Sequence, residues 1–93
     1  MGTAREFIGL SDEEARFIEL KLALAGALRR KREREGLSQT ALAKLIESSQ
    51  SRVAKIEAGD RSVSLDLIVR SLLAMGTSPR ELARIISGAK QAA

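Results

Sequence analysis

The chain has 93 residues, 44% of them hydrophobic but only two phenylalanines as aromatics, one proline and a net charge of +4. That length makes one domain with a modest core, and a core of Ala, Leu and Ile favours helices over sheets. With neither cysteine nor histidine, disulfides, thiolate or imidazole metal sites, cysteine nucleophiles and the usual general base are excluded, while the basic balance favours a polyanionic partner.

Residues 1–10 (MGTAREFIGL) have no clear period and are expected to form an N-terminal arm. Ser11-Asp12-Glu13-Glu14 then forms a capping box, in which Ser11 accepts from the Glu14 amide and Glu14 reaches back. Nothing forces a stop before Gly36, so one long helix is expected to Glu35. It carries two apolar stripes, Phe17, Leu20/Lys21, Leu24 and Ala27/Leu28 on one, Ile18, Leu22 and Ala25 on the other. The apolar run 17–28 is broken by Glu19 and Lys21 and is too short to span a bilayer. Acids at 12–14 stand where a secretion signal would lead with bases, so a cytoplasmic protein is expected.

Ser38 caps a second helix to about Ile46, with Leu42, Ala43, Leu45 and Ile46 inward, and Ser49 caps a third over 50–58, with Val53 and Ile56 inward and Gly59 ending it. Glu47-Ser48-Ser49 leaves room only for a turn. After the loop Asp60-Arg61-Ser62, a fourth helix runs from about Ser64 to Met75 with Leu65, Ile68, Val69 and Leu72 inward, ended by Gly76. Ser78-Pro79-Arg80-Glu81 is a second capping box with proline at the first helical position. The fifth helix follows, with Leu82, Ile85 and Ile86 inward, to about Ser87, and 88–93 should fray. The organisation expected is an arm at 1–10, one all-α domain at 11–87 and a frayed tail at 88–93. There are no repeats and no strand-length alternating runs.

The pair of helices at 38–58 is the informative element. Two short helices joined by about 3–4 residues and crossing steeply form the unit that places its second helix in the DNA major groove. A helix turns about 100° per residue, so with Gln50 at zero the core side of 50–58 centres near 270°. The opposite direction holds Ser51, flanked by Ala54 and Lys55, with Gln50 and Arg52 at the edges. Gln bonds adenine N6/N7, Lys or Arg reaches guanine O6/N7, and the Ala54 methyl meets a thymine methyl. Gln50, Ser51, Ala54 and Lys55 are therefore the candidate base readers, with Ser49 and Arg52 as candidate backbone contacts.

The runs Ser38-Gln39-Thr40-Ala41-Leu42-Ala43 and Ser49-Gln50-Ser51-Arg52-Val53-Ala54-Lys55-Ile56-Glu57-Ala58-Gly59 resemble the XRE/Cro helix-turn-helix family of phage and bacterial repressors, over roughly 29–87. The resemblance implies a five-helix lambda-repressor-like domain, here with an extended first helix. It implies that Gln39 anchors a phosphate and braces Gln50, that Arg32 pairs with Glu57, and that Arg61 contacts the backbone. Arg30 or Arg34, from the cationic run 29–34, is a further phosphate candidate. The family usually has glycine at the corner, where this chain has Glu47, and a non-glycine residue at positive φ costs on the order of 1 kcal/mol.

The function this implies is sequence-specific binding of double-stranded DNA by a homodimeric transcriptional repressor, since one such unit reads only a few base pairs. The alternative is the antitoxin of a toxin–antitoxin module, with Phe7, Ile8, Leu10, Phe17 and Ile18 meeting a toxin protein. No membrane partner and no cofactor are expected. Nor is an enzyme, because no nucleophile has a base at motif spacing and no phosphate loop is present.

Overall fold

The computed structural model describes residues 11–89; the arm expected at 1–10 and the last four residues of the expected tail lie outside this range. Five helices follow one another: α1 Asp12–Arg34, α2 Gln39–Leu45, α3 Gln50–Ala58, α4 Leu65–Ala74 and α5 Pro79–Ala89, with no strand among the described residues. This is the all-α, lambda-repressor-like arrangement with a long first helix. The capping boxes form at both expected places. Ser11 Oγ accepts from the Glu14 amide at 3.1 Å and Ser78 Oγ from the Glu81 amide at 3.1 Å, and each glutamate returns a bond to its cap. These bonds from Ser11 and Ser78 hold the Glu14 and Glu81 carboxyls below their ordinary pKa.

Helix α1 is the hub, packing against α3, α4 and α5, while α2 packs on α3. Leu24, Ala25 and Leu28 of α1 meet Leu42 and Ala43 of α2, Val53 and Ile56 of α3, and Ile68 and Leu72 of α4 in one core. Two expectations about inward residues are corrected. Leu45 is 51% exposed and Ile86 45% exposed, because each stands at the rim of its helix's buried arc. In the two stripes of α1, Phe17, Ile18 and Leu22 are exposed although Ala25 and Lys21 are buried. Helix α5 also continues past Ser87 to Ala89. Ala89 repeats the Leu82–Ile85 face one turn on and is itself buried, which gives the added turn something to pack.

The corner between α2 and α3 is made by Glu47 at φ 54°, the one non-glycine residue in the left-handed region among those described. Gly36, Gly59 and Gly76 fill the equivalent position after α1, α3 and α4. At each of these ends the amide one residue further on bonds back to the last turn, as Ser48 N does to Ala43 O at 2.7 Å. Glu47 is exposed and makes no side-chain bond among the described residues, so its side chain returns nothing for the strain. Glu47→Gly should raise unfolding stability by about 0.5–1 kcal/mol in urea titrations; a loss of stability would show the corner to be unstrained.

Candidate nucleic-acid interface

Helix α3 owes its place to Val53 and Ile56, both fully buried in the core. With that side fixed, Gln50, Ser51, Arg52 and Lys55 are exposed and Ala54 is half-buried. The start of α3 is capped by Ser49, whose hydroxyl accepts from the Arg52 amide at 3.2 Å and lies 3.3 Å from Ser51 Oγ. The hydroxyl offered as a phosphate contact thus already closes the helix end, with the free amides of the first turn beside it.

The polar side chains around α3 form one connected chain of bonds. Arg32, on α1, grips Glu57 with two nitrogens: Nε donates to one carboxylate oxygen and Nη2 to the other at 3.0 Å, while Nη1 donates to the Leu37 carbonyl at 2.8 Å. The Glu57 side chain is only 3% exposed and that of Arg32 11%. Hydrogen bonding to Glu57 holds the Arg32 guanidinium pKa above its ordinary value. The same carboxylate accepts from Gln39 Nε2 at 3.1 Å, and Gln39 Oε1 accepts from Gln50 Nε2 at 2.7 Å.

This chain has a direction. A carboxylate can only accept, so Gln39 must turn its NH2 toward Glu57 and its oxygen toward Gln50. Gln50 must then donate to Gln39, which leaves its own carbonyl oxygen and one N–H unused. Those two groups are the pair that bonds an adenine edge. A buried ion pair thus sets the orientation of an exposed amide through one intermediate.

The remaining candidates divide. Arg61 is exposed in the loop just past α3 and lies in a groove with Phe17, Ile18, Lys21 and Gly59. Arg30 and Arg34 are not brought to α3. At about 100° per residue they stand opposite Arg32 on α1, and with Lys31, Thr77, Glu81 and Arg84 they line a cleft of about 200 Å³ against α5. Lys21 is a residue the sequence pattern hides. Its place in an apolar stripe reads as core, but its ammonium donates to the Asp60 carbonyl at 2.8 Å in the loop after α3.

The Arg32–Glu57 pair and the Arg29–Glu33 pair test burial against exposure on one helix. The latter is exposed, with side chains 63% and 51% accessible. Arg32→Ala strands the Glu57 carboxylate and should cost about 3–5 kcal/mol of stability. Arg29→Ala should cost at most about 0.5 kcal/mol. Urea unfolding of both variants decides it, and similar small losses would show Glu57 to be well solvated without Arg32.

Among known protein families, residues 28–82 match the family described as Helix-turn-helix. No curated protein and no solved structure matches the chain. The family match covers more than half of the chain and takes in α2, the corner and α3 whole. The chain belongs to the XRE/Cro-type helix-turn-helix family of DNA-binding transcription regulators.

Proposed function

We propose that the protein is a sequence-specific repressor that binds double-stranded DNA as a homodimer and reads the major groove with helix 50–58. The observation that carries this reading is the Gln50–Gln39 bond, which leaves the Gln50 carbonyl and one N–H free on an exposed surface. Gln50, Ser51, Ala54 and Lys55 read bases; Gln39, Ser49, Arg52 and Arg61 hold the backbone. A dimer on a two-fold operator follows from the few base pairs one helix spans. The exposed Phe17, Ile18 and Leu22 on α1 offer it a self-complementary apolar face.

The same face supports a second reading, an antitoxin that uses it to hold a toxin protein and represses its own operon. The two readings part on the neighbouring gene and on mass. A stand-alone repressor sediments as a dimer of the 10.1 kDa chain, whereas an antitoxin co-purifies with the product of an adjacent reading frame.

Selection of bound DNA from a random pool tests the reading directly, since a repressor of this kind enriches a two-fold symmetric site. On that site Gln50→Ala should change the preferred base, at about 1–3 kcal/mol of discrimination. The log–log slope of affinity against salt should be about −4 to −8 for the dimer. Equal weakening of selected and scrambled DNA by Gln50→Ala would make that residue an anchor and not a reader.

A further inference from the structure

The part of α1 ahead of residue 28 lies outside the family match, yet it touches the exit of the recognition helix at two points. The first is Leu22. A Cβ placed on Gly59 would stand 2.8 Å from Leu22 Cδ2, so α1 passes close beside a residue whose φ of 64° already favours glycine. The second is Lys21. It is 8% exposed, a degree of burial lysine rarely reaches unless its ammonium is paired. Its partner is not a carboxylate but the Asp60 carbonyl at 2.8 Å. No ion pair involving Lys21 occurs among the described residues.

That carbonyl belongs to a tight, self-bonded loop. Asp60 O also accepts from Val63 N at 3.0 Å. The Asp60 carboxylate accepts from Ser62 N at 2.9 Å and from the Ser62 hydroxyl. These Ser62 bonds, with the nearby Lys55 and Lys21 charges, hold the Asp60 carboxyl below its ordinary pKa. Val63, the far anchor, is buried in the core. Arg61 sits between the two bonded residues, exposed and with no ion pair among the described residues. Its backbone is fixed from both sides while its guanidinium stays free.

We propose that Lys21 is a positioning residue, which clamps the loop after α3 to α1 so that Arg61 is held where a DNA phosphate passes the end of the recognition helix. This rests on the DNA-reading function proposed above. The added length of α1 then has a task in binding without touching DNA: it turns a loop arginine into a fixed contact, so less freedom is lost when the phosphate arrives. An ammonium suits that task because it grips a carbonyl that the loop already uses internally. Removing it leaves that carbonyl bonded to Val63 N, so the loop loosens without stranding an acceptor.

Lys21→Met keeps an unbranched apolar stem and removes the ammonium; Lys21→Arg keeps a donor. Amide exchange on the full chain reads the clamp without DNA. Lys21→Met should speed exchange about tenfold or more at Ser62 and Val63 and leave α2 and α3 unchanged. Duplex titrations read its consequence. Lys21→Met should weaken selected and scrambled DNA alike, by about three- to tenfold, and flatten the salt slope by about one per half-site. The weakening should vanish in an Arg61→Ala background and be largely restored by Lys21→Arg. If Lys21→Met weakens Arg61→Ala protein as much as it weakens the wild type, Lys21 does not act through Arg61 and the proposal falls. Unchanged exchange in the loop would overturn the clamp itself. If the wild-type chain bound no DNA, the functional reading would fail and with it the role of Arg61, while the exchange result would still decide the clamp.

Discussion

The Arg32–Glu57 pair is the constraint on which the rest of the surface depends. It is the place where α1, the loop before α2, and α3 are tied by one guanidinium, through Glu57 and the Leu37 carbonyl. A buried ion pair is weak evidence of net stability, because desolvation offsets most of the attraction. Its value here is directional. Apolar side chains of the same volume would hold α3 against α1 equally well, but they would leave Gln39 with no reason to point its NH2 inward. Glu57 supplies that reason, and Gln39 passes it to Gln50.

Helix α3 is therefore held at both ends and left open in the middle. Its start is set by the Ser49 cap and the Gln39–Gln50 bond. Its end is tied to α1 by Glu57 and, a turn later, by the contact of Leu22 with Gly59 and of Lys21 with Asp60. Of the three α1 side chains that do this, Lys21 and Arg32 are about three turns apart, so a short helix is braced along a much longer one. A nine-residue helix has little stability of its own; burial of Val53 and Ile56 supplies the attraction, and the polar ties define its rotation and tilt.

The sequence carried the local features well because they are encoded within a few residues. The Ser11–Glu14 and Ser78–Glu81 boxes and the glycines at 36, 59 and 76 mark where helices begin and end, and the apolar periods of 38–58 mark the two-helix unit. Features that need a partner far along the chain were not legible from spacing. Lys21 looks like one more position in an apolar stripe until its carbonyl acceptor, 39 residues away, comes into place. The run 29–34 looks basic on every side but for Glu33, and only the packing of α1 between α3 and α5 sends Arg32 inward and Arg30 and Arg34 to the other side. Leu45 and Ile86 share the period of buried neighbours but stand at the edge of the arc, where a helical wheel is least decisive.

This arrangement separates what can vary from what cannot. Ser51 and Lys55 are exposed and tied to no other helix among the described residues, and Ala54 presents only a methyl group. Exchanging them changes the chemistry of the exposed face while α3 stays in place. Gln50 belongs to both sets, since it faces outward and also completes the chain that starts at Arg32. A residue there must first meet the donor role that the Gln39 oxygen dictates, whatever its remaining groups offer outward. Glu at that position would set an acceptor-only group against the Gln39 oxygen, so the frame admits fewer side chains at Gln50 than at its neighbours. The core thus limits which side chains the surface can carry at one position and leaves the next ones free.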